Sequence, residues 1–313
     1  MPRTRIPLPE PLASGAFTVR SAQALGVSLD RLKAPTLRAP FHTVRMDDGP
    51  LDPVRLAAAF ALRQGPDQAI SHTTALVLWG APLPARVEQQ EAIHVSSIGP
   101  SRPRTRSTIP HQLDPDRTTI TRLGELSLTD PATSWVLSAP LLGLDDLVAA
   151  GDFLVTGTHP FDAVPPLSTH AELSAATDAM AGARGIRRAR EALGLVRYGP
   201  LSRRETQLRL MFWRGGLPEP ELNFRVHAPG GRFIHMLDLA HPAFRVGTEY
   251  ESLLHQSPEK FRRDIRKQQE LAAIGWSTHR LTSDEVDPRL RTPASRAALA
   301  RIAADLRSRG WSG

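Results

Sequence analysis

The sequence predicts a mixed α/β (α+β) protein with more than one domain. Its 313 residues exceed the roughly 100–200 that one domain usually takes. Capped helix patterns alternate with short β-branched stretches in the first half, and from Gly199 a helix pattern is followed by closely spaced strand patterns. We therefore expect domains at 1–48, 49–155 and 184–313, with a linker and a helix over 156–183.

The composition favours a polyanionic partner. The formal net charge is +7 and the sequence pI is about 10.7, and a basic surface attracts nucleic acid more often than other partners. The chain has no cysteine, which excludes disulfides, thiolate zinc sites and cysteine nucleophiles. Any metal must therefore be bound by carboxylates or histidines.

Membrane insertion is not expected. No apolar stretch approaches the roughly 20 residues that a bilayer span needs. The first residues, MPRTRIPLPEPLASG, lack the apolar region of a signal peptide. We expect a cytoplasmic protein.

The N-terminal module predicts a helix-turn-helix with a wing. Thr18–Leu25 has helical apolar spacing, and Ser28 is a good N-cap for a second short helix over Leu29–Lys33. Leu37–Arg45 is expected to form the strand of the wing. An ordinary helical hairpin fits the same pattern equally well.

The following region predicts an α/β scaffold. Asp52–Gly65 begins with a proline in its first turn and ends at Gly-Pro. Ser71 is expected to cap a second helix that extends through Trp79. Further expected elements are a strand at Ala92–Ser97, a basic turn at Pro100–Arg106, a strand at Thr118–Leu123, a helix opening at Asp130 and, after a Pro/Gly-rich linker, a helix over Ala171–Ala181.

The C-terminal region predicts a helix followed by three strands. Ser202 caps the helix and places Glu205 in its first turn. Leu222–His227 and Phe233–Leu239 are expected to form a hairpin, and Phe244–Glu251 a third strand.

Acidic residues on these strands suggest a metal site. Asp238 is expected to end the second strand, while Glu249 and Glu251 alternate onto one face of the third. Carboxylates from adjacent strands can converge, and oxygen donors are what Mg²⁺ requires. Taken singly, Asp238 and Glu249 would more often be surface acids at strand ends.

The order of these elements resembles the Vsr-like branch of the PD-(D/E)xK nucleases. The similarity covers about residues 199–290. It comprises the early helical Glu205, the strands MLDLA and VGTEYE, the basic helix KFRRDIRKQQEL that begins near Glu259, and a final GWSTHRL strand. The resemblance implies a restriction-endonuclease-like mixed-sheet domain that hydrolyses DNA with Mg²⁺ or Mn²⁺.

The resemblance also implies roles for individual residues. Asp238 would be the main metal ligand, with Glu249 as the second acid and Glu205 as the acid from the first helix. His255 matches a histidine that acts as general base or holds a phosphate, and Asp264 would orient it. Without the resemblance, His255 is equally well explained as a loop cap.

Basic side chains are the expected DNA contacts. Phosphate contacts by Lys and Arg add salt-sensitive affinity, although an isolated charge run is more often a solvated helix face. Trp276 is expected in the core rather than stacked on a base. The candidates are Arg262, Arg263, Arg266 and Lys267 on the basic helix, Arg280 after the Trp276 strand, and Arg102, Arg104 and Arg106 in the basic turn.

Two departures affect the expected activity. The Vsr-like branch often has Asp-Gly where this sequence has Glu251-Ser252, and the extra methylene displaces the carboxylate. Glu251 also occupies the lysine position of the superfamily and is retained among the candidate catalytic residues. Stabilisation of the developing phosphorane charge would then come from Arg280, His255 or the metal.

The first half has its own resemblance. The segments SHTTALVLWG, HV and TDPATSW, after a winged-helix-like start, resemble the AbiEi-type antitoxin and regulator family over about residues 1–155. That resemblance implies a DNA-binding or toxin-linked module.

Three functional hypotheses follow. The first is a metal-dependent DNA endonuclease, acting in phage defence or DNA repair, that nicks as a monomer or cuts both strands as a homodimer. The second is a transcriptional regulator or antitoxin whose nuclease-like domain only binds DNA. The third is an enzyme that excises a flipped base.

Overall fold

The computed structural model describes residues 7–99, 105–157, 164–251 and 258–313, and within 258–261 only the backbone. It has a mixed α/β fold, so the predicted fold class is confirmed. The chain divides into two compact units. The first comprises the residues up to Ala150 together with Leu167–Gly194, and the second comprises Gly151–Pro166 and Leu195–Gly313.

The N-terminal module contains the two predicted short helices. Thr18 and Ser28 cap them by accepting hydrogen bonds from the third backbone N–H of each helix. The expected single strand over Leu37–Arg45 is wrong, because the chain turns within it and forms two antiparallel strands. The elements are α1 Glu10–Ala13, β1 Phe17–Thr18, α2 Val19–Ala24, α3 Leu29–Leu32, β2 Leu37–Arg38 and β3 Val44–Asp47, with sheet order β1-β3-β2.

The rest of the first unit is built on a five-stranded mixed sheet of order β6-β5-β4-β8-β7. Asp52 caps α4 as expected, but this helix ends at Ala61 rather than Gly65. The elements are α4 Pro53–Ala61, β4 Gln68–Ile70, α5 His72–Leu78, α6 Ala85–Glu88, β5 Ile93–Ser97, β6 Thr108–Gln112, β7 Ile120–Leu123, β8 Leu126–Thr129, α7 Pro131–Ser138, α8 Leu144–Thr156, α9 His170–Ala179 and α10 Ile186–Leu195. Of these, α8 and α10 begin in the first unit and end in the second.

Ser71 precedes α5 as expected, but its side chain makes no capping hydrogen bond. Its hydroxyl instead contacts His72 Nδ1 at 2.8 Å and Ser96 Oγ at 2.6 Å. Ser71 thus occupies the N-cap position as predicted, but the capping hydrogen bond is absent because its hydroxyl contacts these two side chains.

The second unit holds a four-stranded sheet of order β12-β11-β10-β9. The strands β9, β10 and β11 are antiparallel neighbours, and β12 lies parallel to β11. A parallel pair needs a long crossover, and α12 provides it. The elements are α11 Arg203–Arg214, β9 Glu221–His227, β10 Phe233–His241, β11 Val246–Tyr250, α12 Pro258–Ala273, β12 Ser277–Leu281 and α13 Pro293–Ser308.

Two buried clusters stabilise this unit. One joins α11 and α13 to the sheet through residues such as Phe212, Leu239 and Ile302. The other contains Leu271 of α12 and Trp276, whose ring lies 5.5 Å from that of Phe224. Trp276 is thus a core residue, as expected, and is not exposed for stacking on a base.

The described parts of the chain contain no helix that is both long and apolar enough to cross a bilayer. The longest helices, such as α12 and α13, carry several charged residues each.

Candidate functional site

Asp238 lies within β10, not at its end, since the strand continues to His241. The predicted strand end at Leu239 is therefore too early. The Tyr250 backbone N–H donates a hydrogen bond of 2.7 Å to Asp238 Oδ2. Burial, together with the charges of Glu205 and Glu249, raises the pKa of Asp238 to about 7, against the lowering effect of the hydrogen bond from Tyr250.

Glu205 comes from the first turn of α11, which Ser202 caps. It is only 8% exposed. One carboxylate oxygen, Oε2, accepts hydrogen bonds from the Leu201 backbone N–H at 2.8 Å and from Asn223 Nδ2 at 3.4 Å. These two donors fix a buried acid beside Asp238.

Glu249 is the acid from β11. Its Oε1 accepts a 2.5 Å hydrogen bond from His235 Nε2 on β10. Both side chains are mostly buried, with 16% and 18% exposed respectively. His235 was not among the predicted site residues, because on β10 it is an odd number of positions from Asp238 and alternation would separate the two side chains.

The carboxylates of Glu205, Asp238 and Glu249 are close enough for their charges to interact. Their carboxylate oxygens do not all lie within 4.8 Å of one another. Among the described residues, only a cluster of three histidines in the first unit has ligand atoms that close together. The donor set still fits Mg²⁺ or Mn²⁺, which take hard oxygen ligands. A divalent cation would also relieve the repulsion that raises the pKa of Asp238.

The guanidinium of Arg280 is already paired with two carboxylates near this acid cluster. Its guanidinium pairs with Glu251 at 3.2 Å and with Asp264 at 3.5 Å, and Lys267 lies 3.9 Å from Asp264. Arg280 and Glu249 are register partners on the parallel strands β12 and β11. Two carboxylates already neutralise its charge in this arrangement, and a contact between Arg280 and a phosphate stays a prediction.

The remaining predicted site residues differ in how far they are exposed to solvent. Arg262, Arg263 and Arg266 are exposed on α12, while Lys267 is half-buried and Asp264 is 9% exposed. Arg106 is exposed in the first unit. His255, Arg102 and Arg104 lie outside the described residues, so the suggested pairing of Asp264 with His255 stays a prediction.

A buried ion pair in the second unit was missed by the sequence analysis. Asp152 Oδ2 accepts hydrogen bonds from Arg209 Nη2 at 3.0 Å and Thr206 Oγ1 at 2.8 Å, and Oδ1 accepts one from the Arg197 backbone N–H at 2.7 Å. Arg209 also donates to the Leu195 carbonyl at 2.8 Å. An arginine among apolar positions of α11 is the only sequence signal for this pair.

Comparison with known proteins gives relatives without an assigned activity. No family model matches the chain, and no solved structure matches it. Two proteins of Mycobacterium tuberculosis are similar: "Uncharacterized protein MT2308" of strain CDC 1551 / Oshkosh and "Uncharacterized protein Rv2248" of strain ATCC 25618 / H37Rv. Each is 35% identical over 116 residues, which is 37% of this chain and 42% of the relative. The chain thus matches less than half the length of these two relatives.

Proposed function

We propose that the protein is a metal-dependent DNA endonuclease whose hydrolytic site lies in the second unit. The observation that carries the proposal is the convergence of three acids from three elements. Glu205 of α11, Asp238 of β10 and Glu249 of β11 interact around a partly buried position. Mutually repelling carboxylates in such a site favour a divalent cation as their partner.

The residues of the chain have distinct roles in this proposal. Glu205, Asp238 and Glu249 would hold Mg²⁺ or Mn²⁺. When bound, the cation supplies Lewis-acid stabilisation of the charge that develops on the phosphate. His235 holds Glu249 in place through its 2.5 Å hydrogen bond. Tyr250 fixes Asp238 through its backbone N–H.

Exposed arginines of α12 supply the contact with DNA. Arg262, Arg263 and Arg266 project into solvent, and guanidinium groups bind phosphate oxygens in pairs of hydrogen bonds. The net charge of +7 supports the same partner. We place this activity in the cytoplasm, in defence against foreign DNA or in repair.

The second candidate function is a DNA-binding regulator or antitoxin with an inactive nuclease-like domain. The observation that favours it is the ion pairing of Glu251 with Arg280. Glu251 stands where the superfamily places a lysine, and it neutralises a neighbouring cation instead of providing one. In this case the second unit binds DNA through α12 without cutting it.

A cleavage assay distinguishes these functions. The purified full chain is incubated with supercoiled plasmid and with modified phage DNA, in Mg²⁺, in Mn²⁺ or in EDTA, and the products are separated on native and denaturing gels. The endonuclease predicts nicked or linear DNA that appears only with a divalent cation. Nicks alone indicate single-strand cutting, and linear products indicate a dimer or paired cuts.

Asp238→Asn is the matched control for the site. We expect this variant to lose cleavage and to bind DNA at least as tightly as the wild type, because the substitution removes a metal ligand and a negative charge. Cleavage that persists in Asp238→Asn eliminates the proposed site. Intact DNA with a shifted band under every cation supports the regulator, and breaks that appear only after alkali indicate base excision.

A further inference from the structure

A histidine cluster in the first unit is independent of the acid site. His72 begins α5, His94 lies on β5, and His111 lies on β6. The strands β5 and β6 are parallel neighbours at one edge of the five-stranded sheet. His72 and His94 are 7% and 4% exposed, whereas His111 is half-buried. The cluster is therefore reachable from solvent on the His111 side.

The ring nitrogens of the three histidines lie together. One ligand nitrogen from each residue falls within 4.8 Å of the other two. His94 Nδ1 and His111 Nε2 are 2.8 Å apart, and the ring centroids of His72 and His111 are 3.8 Å apart. The three rings come from separate elements and stack with interplanar angles of 23° to 26°, so a shared metal ion requires them to rotate.

Serine hydroxyl groups lie at the Nδ1 side of the His72 ring. Ser71 Oγ lies 2.8 Å from His72 Nδ1 and 2.6 Å from Ser96 Oγ. This contact engages Nδ1 of His72, so Nε2 is the ring nitrogen that remains for a metal ion. A hydrogen bond from the outer ring nitrogen is the usual device that orients a metal-binding histidine.

The backbone at this point is also unusual. His72 has a φ of 55°, in the left-handed region that few residues other than glycine adopt. Two hydrogen bonds fix the neighbouring chain: the Ser71 N–H donates to the His94 carbonyl at 3.1 Å, and the His94 N–H donates to Thr74 Oγ1 at 2.9 Å. Strained backbone that is held in this way is concentrated at functional sites.

We propose that His72, His94 and His111 form a site for Zn²⁺ or a similar transition-metal ion. Imidazole suits zinc, whereas Mg²⁺ requires oxygen donors that these three side chains do not offer. Zinc at 2.0–2.1 Å from each nitrogen spaces the ligands about 3.3 Å apart. The 2.8 Å pair therefore has to open slightly, and the stacked rings have to rotate so that one nitrogen of each points at the ion.

A zinc ion at this site would cross-link three elements of the first unit, namely α5, β5 and the edge strand β6. Three protein ligands leave a fourth position, which water or an anion from solvent fills. Binding to the folded state alone raises stability, because the ligand binds the native chain and not the unfolded chain.

The test uses the full chain with Asp238→Asn, which removes the acid site as a source of bound metal. The protein is stripped with EDTA, incubated with Zn²⁺ in excess Mg²⁺, separated from free metal and analysed for zinc by elemental analysis. Co²⁺ is added to a parallel sample to record the visible absorption that tetrahedral cobalt gives. We expect one zinc per chain, a cobalt spectrum and a higher unfolding temperature with zinc.

His111→Gln in the same background is the principal variant, because His111 is half-buried and its loss perturbs the core least. We expect it to lose the zinc and the cobalt spectrum, and His94→Gln to do the same. His42→Gln is the matched control, because His42 is exposed in the same unit, and it should retain both. An Asp238→Asn chain that keeps no zinc, or a His111→Gln variant that keeps it, overturns the proposal and leaves a hydrogen-bonded histidine cluster without metal.

Discussion

His235 Nε2 and Glu249 Oε1 are joined by a 2.5 Å hydrogen bond between the neighbouring strands β10 and β11. The bond holds one oxygen of Glu249 and leaves the other available. In the proposed nuclease, His235 is thus a positioning residue that acts through a metal ligand. Groups of this kind set the orientation and basicity of the ligand that they contact.

We predict that His235→Ala raises the Mg²⁺ concentration needed for DNA cleavage by on the order of 10–100-fold, the usual effect of losing such a partner. The measurement is the initial cleavage rate as a function of Mg²⁺ concentration. His227→Ala is the control, because His227 is exposed on β9 and its ring contacts the Arg225 carbonyl at 3.1 Å. An unchanged Mg²⁺ dependence in His235→Ala would show that Glu249 needs no positioning.

Sequence patterns predicted the order of helices and strands from α11 to β12, because caps such as Ser202 and strands with alternating apolar residues are local signals. They did not predict α13. They also identified Asp238 and Glu249 as neighbours on adjacent strands. They did not identify the His235–Glu249 bond or the pairing of Arg280 with Asp264. These contacts depend on strand register and on where α12 lies on the sheet, and local pattern does not determine either.

The histidine cluster illustrates the same limit in the first unit. His72, His94 and His111 are separated by 22 and 17 positions, and β6, which carries His111, was not expected at all. Thr108–Gln112 contains a proline, and this weakens a strand pattern. The edge position of β6 explains why that proline is tolerated.

The raised pKa of Asp238 predicts a pH dependence of stability in EDTA. The folded chain keeps this proton up to about pH 7, whereas the unfolded chain releases it near pH 3.8. The contribution of Asp238 to the free energy of unfolding is therefore fully present below pH 3.8 and is lost as the pH rises to 7. The total loss is up to about 4 kcal/mol. The buried histidines act with the opposite sign, since their lowered pKa values reduce stability as the pH falls below 6.5.

Comparison with Asp238→Asn isolates the contribution of Asp238. Between pH 5 and pH 8, the unfolding temperature of the wild type should fall further than that of the variant. Mg²⁺ should restore stability to the wild type more at pH 8 than at pH 5, because the cation and the proton compete for the carboxylate. Parallel pH profiles for the two proteins would contradict the raised pKa.

The Asp152–Arg209 pair predicts a large loss of stability. Both side chains are almost fully buried, at 1% and 3% exposed. Arg209→Met leaves the Asp152 carboxylate without its counter-ion, and loss of one member of a buried pair costs about 3–5 kcal/mol. Chemical unfolding of the second unit measures the effect.

The matched control is Arg232→Met, in the same unit. Arg232 pairs with Glu270 at 2.7 Å, but these side chains are 64% and 42% exposed. A surface pair of this kind contributes about 0–1 kcal/mol. Equal effects for Arg209→Met and Arg232→Met would mean that solvent reaches Asp152.

DNA affinity should depend on the exposed arginines of α12. Each phosphate contact releases condensed counterions, so Arg262→Ala or Arg263→Ala should reduce the salt dependence of binding by about one unit of log K per log of salt concentration. Affinity should fall equally for unrelated DNA sequences, because phosphate contacts carry no sequence information. Arg307→Ala is the control, because Arg307 is exposed on α13 and lies over the Trp311 ring. If Arg307→Ala lowers the salt dependence and the α12 variants do not, DNA binds at a different face of the second unit.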